Sequence, residues 1–206
     1  MKARALPLII LILAALLRRL PKSHPRYSLI EEEHCRRIAG HHGEESLDYY
    51  LRSLPHQNYF ILHDLNLPDG EFICQIDTMI ITPGCIYLIG VKHMAGELEF
   101  DTTLEQFLQT KDGQTKGYRC PVAQEQRHKA YVQELLAANH FPNVPIDFLI
   151  TLTNPYCTFK VTGQNAHKVR PHVANRIFSS NDSNSLNRTI RLSASHKRTC
   201  ANYPDC

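Results

Sequence analysis

Two stretches of the chain carry apolar residues at helical spacing. In the first, apolar positions at i, i+3, i+4 and i+7 follow Gly43 and stop at Pro55. Glu44 and Glu45 would then lie in the first turn, where negative charge interacts favourably with a helix N-terminus. The second stretch covers residues 121–140. The pattern therefore predicts two amphipathic helices, the first of them built on Leu47, Tyr50, Leu51 and Leu54.

Between these helices, short runs rich in Ile, Phe, Tyr and Val are separated by Gly and Pro, which is typical of strands joined by tight turns. The run at 146–152 is apolar almost throughout and predicts a strand buried on both faces. Helix, three or four strands, helix and strand in this order predict a mixed α/β domain over residues 31–160. The predicted strands cover residues 59–64, 72–82, 85–92, 97–100 and 146–152.

The N-terminal segment is apolar or proline at every position from Ala5 to Leu17. It is too short to cross about 30 Å of hydrocarbon as a helix, and Arg18 and Arg19 follow where a signal peptide has small residues. We expect a packed helix with Pro7 in its first turn. A membrane-associated segment and a signal peptide are the alternatives. Residues 1–30 are thus expected to form a helix and linker of a cytoplasmic protein that contacts a membrane surface if residues 5–17 bind one.

The formal net charge of +3 is the sum of two unlike parts. Residues 1–159 carry 15 Lys and Arg against 18 Asp and Glu, whereas residues 160–206 carry 8 against 2. A basic tail on a near-neutral body points to nucleic acid or a membrane surface, although solvated basic tails without a partner are common. Residues 161–206 also contain a Ser- and Asn-rich stretch, so we expect them to form a mobile tail.

The seven cysteines favour reduced thiols, because their number is odd and no pair has CxxC spacing. Cys200, Cys206 and His196 could give a zinc ion three ligands, but the sequence shows no fourth. Cysteine usage therefore indicates neither a disulfide framework nor a zinc ribbon.

The candidate chemistry lies on the hairpin predicted over residues 72–92. If its strands pair across a turn centred on Pro83-Gly84, Asp77 faces position 90 and Gln75 faces Lys92. Because side chains alternate along a strand, these four positions share one face of the sheet. An acid and a lysine are costly to bury among apolar neighbours without a partner or a purpose. An Asp–Lys pair on an exposed sheet face is the structural alternative.

At these residues the chain resembles the nuclease-related domain family, NERD, and most of all its members in Bacillus-type bacteria. The resemblance covers about residues 17–161, with five motifs in the right order and spacing. That family is assigned to the PD-(D/E)xK nuclease superfamily, so the resemblance implies a restriction-endonuclease-like core, a mixed β-sheet flanked by helices. The motifs are Gly43-Glu44-Glu45, His63-Asp64-Leu65, Gln75-Ile76-Asp77, Val91-Lys92 with Gly96, and Cys120-Pro121-Val122-Ala123-Gln124.

The resemblance also implies metal-dependent phosphodiester hydrolysis of DNA. Asp77 matches the first metal-binding aspartate, and Lys92 matches the lysine that orients the attacking water or stabilises developing charge. Glu44 or Glu45 matches the helix carboxylate, and Gln124 the polar residue on the next helix. The implied cofactor is Mg²⁺ or Mn²⁺, with Asp77 and Glu44 as its ligands.

One departure from the family pattern lowers the expected activity. Where the pattern has Glu-x-Lys, the chain has Gly90-Val91-Lys92, so the carboxylate expected opposite Asp77 is missing. Losing one of two carboxylates weakens Mg²⁺ binding and misplaces the attacking water. We therefore expect an impaired nuclease, in which the glutamates on the first helix, or Glu97 and Glu99, would have to compensate.

Two other classes of function stay open. A non-catalytic pseudonuclease would bind nucleic acid through the basic tail and Lys92, Arg119, Arg127 and Lys129. A membrane-proximal scaffold would be held by residues 5–17. The sequence leaves open whether the protein is an enzyme, and whether residues 174–206 are a native arm or an altered reading frame.

Overall fold

The structure, a computed structural model, describes residues 4–52 and 59–175. Three features of the sequence therefore lie outside the described residues. These are the Leu54 and Pro55 end of the first predicted helix, the Ser- and Asn-rich tail, and the candidate zinc ligands His196, Cys200 and Cys206.

Two helices open the chain: α1, Leu8–Arg19, and α2, Tyr27–Leu51. The first begins directly after Pro7, packs on α2 and buries Ile10 and Leu13. Its other side is exposed, and no helix of the described residues is long and apolar enough to cross a membrane. The exposed apolar residues on α1 are Leu8, Ile9, Leu11, Ile12 and Leu16.

The helix that carries Glu44 and Glu45 is much longer than predicted. Both glutamates lie in the interior of α2 and not in its first turn, so the expected interaction with a helix N-terminus is wrong. The additional turns lack an apolar face but are rich in strong helix formers. Glu33 pairs with Arg36 and Arg37 along them, which supports the helix further. The helix also runs through position 30, where linker and domain were expected to meet.

A five-stranded mixed sheet forms the centre of the domain. Its strands are β1, Phe60–Asp69; β2, Phe72–Ile81; β3, Ile86–Lys92; β7, Ile146–Leu152; and β9, Val173–Asn175. They lie in the order β1-β2-β3-β7-β9, antiparallel from β1 to β3 and parallel from β3 to β9. The predicted strands at 59–64, 72–82, 85–92 and 146–152 are all present in this sheet.

A second sheet of four strands is formed by segments that lie between strands of the first sheet in the chain. Its strands are β4, Gly96–Asp101; β5, Gln106–Lys111; β6, Gln114–Tyr118; and β8, Cys157–Thr162. They lie in the order β6-β5-β4-β8, and only β4 was predicted from the sequence. The Asp112-Gly113 pair between β5 and β6 is a signal that could have identified this hairpin, because both residues have positive φ, 52° and 75°, as a tight hairpin turn requires.

Helices cover both faces of the central sheet. The helix α3, Pro121–Ala138, contributes Val122 and Val132 to one apolar cluster, which also contains Ile86 and Leu88 of β3. The intervening residues of β3 pack with α2 in a second cluster. A short helix, α4, Ala166–Val169, precedes β9. This arrangement confirms the predicted α/β fold with a mixed sheet flanked by helices, consistent with a restriction-endonuclease-like core.

Candidate active site

The pairing of β2 with β3 has the predicted register. Thr78 pairs with Ile89 and Met79 with Leu88, so Asp77 comes next along β2 and Gly90 comes next along β3. The regular pairing ends before these two residues. At that point Asp77 Oδ2 accepts a hydrogen bond from the Val91 backbone N–H at 3.1 Å. This hydrogen bond holds the Asp77 carboxylate beside the end of β3 that carries Lys92.

The structure brings Lys92 together with the predicted polar residue of the next helix. Lys92 Nζ donates a hydrogen bond to Gln124 Oε1 of α3 at 3.4 Å. Both side chains are half-buried. We call Asp77, Lys92 and Gln124 the Asp77 site.

Burial raises the pKa of Asp77, because the ionised carboxylate loses water in this position. The Val91 N–H and the charge of Lys92 oppose that rise, whereas the charge of Glu125 adds to it. The surroundings of Asp77 therefore disfavour its ionised form.

Glu125, on α3, is a residue of this region that sequence reasoning missed. Its side chain fills the space beside Gly90: a Cβ at position 90 would stand in hard contact with Glu125 Oε1 and 3.0 Å from its Cδ. Glu125 is only 3% exposed, and its Oε2 lies 3.3 Å from His128 Nδ1. The sequence did contain a signal, because Glu125 follows Val122 by three residues and so lies on the buried stripe of its helix.

On the α2 side of β2, one arginine forms ion pairs with three carboxylates. The Arg4 side chain is 3% exposed, and its guanidinium also contacts His63 Nδ1 at 3.2 Å and Thr78 Oγ1 at 3.1 Å. We call Arg4 and its three acidic partners the Arg4 cluster. Its ion pairs are Arg4–Glu44 at 2.6 Å, Arg4–Asp64 at 2.6 Å and Arg4–Asp48 at 2.9 Å.

One guanidinium cannot neutralise three carboxylates, and Glu44 shows the result. Burial, followed by the charge of Asp77, raises the pKa of Glu44 to about 7, although Arg4 acts in the opposite direction. Glu44 is therefore electrostatically connected to Asp77, as its predicted role requires. Its Oε2, however, is already bound by Arg4.

The other predicted residues lie apart from the Asp77 site. Glu45 is exposed and pairs with His41 and His42 on its own helix. Glu99 pairs with Lys160 within the second sheet. Arg119 and Arg127 are exposed and Lys129 is half-buried. Among the described residues, hydrogen bonds and ion pairs to Asp77 or Lys92 involve none of Glu45, Glu97, Glu99, Arg119, Arg127 and Lys129.

Within residues 4–52 and 59–175, no group of three or more His, Cys, Asp and Glu side chains is arranged to hold a metal ion. Magnesium is nevertheless often bound by one or two carboxylates, with water and substrate phosphate as the other ligands. The two carboxylates near Gly90, those of Asp77 and Glu125, have the oxygen chemistry that this ion requires.

A mixed sheet flanked by helices, with an aspartate in β2 and a lysine at the end of the adjacent β3, is consistent with a restriction-endonuclease-like α/β domain. The model of one such family, described as nuclease-related domain or NERD, matches residues 39–153, more than half of the chain. The chain belongs to this family, which confirms the resemblance read from its motifs. Comparison with curated proteins and with solved structures gave no match.

Proposed function

We propose that the protein hydrolyses phosphodiester bonds of DNA with a divalent metal ion at the Asp77 site. The observation that carries this proposal is the position of Asp77. Its carboxylate is held by the Val91 N–H at 3.1 Å, next to a lysine that reaches Gln124. Neither the Asp77 carboxylate nor the Lys92 ammonium has a partner of opposite charge within hydrogen-bonding distance among the described residues.

Asp77 is the proposed metal ligand, because its Oδ1 accepts no hydrogen bond from the described residues and is available to a cation. Bound Mg²⁺ or Mn²⁺ would polarise the phosphate and lower the pKa of a coordinated water. The family resemblance implies Glu44 as a second ligand, but its Oε2 is bound by Arg4 at 2.6 Å and would have to leave it to take that role.

Lys92 is the proposed stabiliser of negative charge on the phosphate. Its ammonium lies on the same side of the sheet as α3, and the hydrogen bond to Gln124 limits the positions that it can take. A fixed cation at the place where charge develops is effective because it needs no reorganisation during the reaction. Gln124 is accordingly a positioning residue that acts through Lys92.

The proposal is tested by cleavage of supercoiled plasmid with Mg²⁺ or Mn²⁺. We expect Asp77→Asn and Lys92→Met each to lower the cleavage rate by about 100-fold or more, the loss typical for one charge-stabilising group. Asp112→Asn and Lys111→Met are the matched controls, since both residues are exposed and lie on the second sheet. They should cleave at the rate of the unaltered protein.

Cleavage that persists in Asp77→Asn would contradict the proposal, because the activity would then belong to another site or to a contaminant. Absence of cleavage with either metal in the unaltered chain would contradict it as well.

The second candidate is a non-catalytic nucleic-acid-binding protein. It is favoured by the glycine at position 90, where the family pattern has a carboxylate, and by the lack of a three-ligand group in the described part of the chain. Binding would involve Lys92, Arg119, Arg127 and Lys129, and its affinity would fall steeply with salt. DNA binding without cleavage, weakened by Arg127→Ala, would favour this candidate over the nuclease.

A further inference from the structure

We propose that Glu125 supplies the second carboxylate of the Asp77 site, in place of the side chain that Gly90 lacks. This inference rests on the proposed metal-dependent function and assigns a ligand within it. Three observations support it: the Glu125 carboxylate occupies the space at Gly90, Gly90 lies opposite Asp77 in the register of β2 and β3, and Glu125 Oε1 has no hydrogen-bonding partner among the described residues.

The space beside Gly90 is occupied by the Glu125 carboxylate itself. A Cβ added to Gly90 would be in hard contact with Glu125 Oε1, and would lie 3.0 Å from Cδ and 3.5 Å from Cγ. A side chain at position 90 and Glu125 in its present position therefore exclude each other. The carboxylate of Glu125, on α3, occupies the position where a side chain of residue 90, on β3, would start.

One oxygen of the Glu125 carboxylate is available to a ligand. Within the described residues the only partner of the side chain is His128, which contacts Oε2 at 3.3 Å. Oε1, the atom turned towards Gly90, has no hydrogen-bonding partner among the described residues. A cation that binds beside Gly90 would therefore meet a carboxylate oxygen that the chain itself does not use.

Asp77 and Glu125 approach the same point of the sheet, because Gly90 lies opposite Asp77 in the register of β2 and β3 and the Glu125 carboxylate lies over Gly90. Two neighbouring carboxylates repel each other unless a cation is shared between them. One or two carboxylates are the usual protein contribution to a Mg²⁺ site. Asp77 from β2 and Glu125 from α3 complete such a pair without any side chain from position 90.

The inference is tested by titrating the full chain with Mn²⁺ and measuring the binding affinity by calorimetry. Glu125→Gln keeps the shape of the side chain and removes its charge, so we expect the affinity for Mn²⁺ to fall by about 10- to 100-fold, the range for disturbing a metal site. Glu134→Gln, which changes an exposed glutamate of the same helix, is the matched control and should bind as the unaltered chain does.

A reciprocal exchange makes the test specific for position. Gly90→Glu alone should bind Mn²⁺ no more tightly than the unaltered chain, because the new side chain meets Glu125. The double variant Gly90→Glu with Glu125→Ala should bind more tightly than Glu125→Ala alone, by about tenfold or more. Failure of the double variant to recover binding, when its thermal unfolding shows that it folds, would overturn the inference.

Two further results separate the inference from the function on which it rests. If Asp77→Asn loses Mn²⁺ binding and Glu125→Gln does not, the inference is wrong and the proposed function stands. If neither substitution changes Mn²⁺ binding, the proposed function fails, and the inference fails with it.

A purely structural role for Glu125 would make His128→Gln and Glu125→Gln equally destabilising and leave Mn²⁺ affinity unchanged in the folded fraction, which would also overturn the inference. Glu125→Asp provides a second variant if Glu125→Gln does not fold. It keeps the charge on a shorter side chain, so we expect it to bind Mn²⁺ more weakly than the unaltered chain and more tightly than Glu125→Ala.

Discussion

The Arg4 cluster and the Asp77 site both place acidic side chains against β2, but they balance the charge differently. In the Arg4 cluster the chain supplies its own cation, a guanidinium that pairs with Glu44, Asp48 and Asp64. At the Asp77 site Lys92 donates its hydrogen bond to Gln124 and not to Asp77. The carboxylates of the Arg4 cluster are therefore paired within the chain, whereas the Asp77 carboxylate has no ion-pair partner among the described residues.

The difference matters because Glu44, a member of the Arg4 cluster, also interacts with the charge of Asp77. It is bound by Arg4, yet the charge of Asp77 is the leading charge effect that raises its pKa. Arg4 also donates a hydrogen bond to the backbone carbonyl of Asp77, at 3.4 Å. The Arg4 cluster thus supports the strand that carries Asp77.

The largest expected effect of breaking this arrangement comes from Arg4→Ala. Removing the guanidinium leaves three carboxylates without their cation, and breaking a buried ion pair from one side costs about 3–5 kcal/mol. The free energy of unfolding, measured with urea at pH 7, should fall by that amount. Arg36→Ala is the control, because Arg36 pairs with Glu33 on the exposed side of α2 and its loss should cost less than about 1 kcal/mol. A similar small loss for Arg4→Ala would contradict a supporting role of the cluster.

The next effect concerns pH. The folded chain binds a proton at Glu44 up to a pKa of about 7, above the ordinary value of a glutamate, so the folded state holds more protons than the unfolded state between about pH 4.5 and 7. Stability from this residue is therefore present at low pH and is lost as the pH rises through 7. Glu44→Gln should remove this dependence and raise the free energy of unfolding at pH 8 by about 1–2 kcal/mol. Unfolding curves of both proteins from pH 5 to 8 check it, and parallel curves would contradict it.

A smaller effect distinguishes the Asp77 site, where a substitution that removes cleavage should raise the free energy of unfolding. Because burial raises the pKa of Asp77, ionising it in the folded state costs stability at neutral pH. Asp77→Asn should raise the free energy of unfolding by about 1 kcal/mol while it removes cleavage, since groups kept for function are often a stability cost. Asp48→Asn, in the Arg4 cluster, should lower stability instead. Destabilisation by Asp77→Asn equal to that of Asp48→Asn would remove the distinction between the two regions.

The smallest effect is expected at Glu45. It is exposed and pairs only with His41 and His42 of its own helix among the described residues, an arrangement that contributes about 0.3–0.5 kcal/mol. Glu45→Gln should leave plasmid cleavage unchanged and alter the free energy of unfolding by no more than that amount. A loss of cleavage would show that the helix carboxylate of the site is Glu45 and not Glu44.

The sequence could predict the parts of the site that depend on local geometry. Alternation and a Pro-Gly turn are enough to place Asp77 opposite Gly90, and the observed register agrees. The strand at 146–152 could be identified because it is apolar at nearly every position. Only the family resemblance assigned Lys92 and Gln124 to the same site, since no spacing rule relates β3 to α3.

The remaining features depend on packing between distant segments. Arg4 contacts carboxylates that lie 40 to 60 residues away, and in the sequence it looked like a flanking charge of the apolar run. Glu125 was missed because the position of α3 over Gly90 follows from the packing of a whole helix on the sheet. The early start of α2 was missed because its first turns have no apolar face, so their strong helix propensity was not visible as a hydrophobic period.

The central claim is that the Asp77 site, and not the Arg4 cluster, takes up a cation from solution. It is tested most directly by Mn²⁺ affinity in two single variants of the full chain, Asp77→Asn and Glu44→Gln. We expect Asp77→Asn to weaken binding by about 10-fold or more, and Glu44→Gln to bind within about twofold of the unaltered chain, because Arg4 already occupies that carboxylate. Binding that survives Asp77→Asn and is lost in Glu44→Gln would contradict the account.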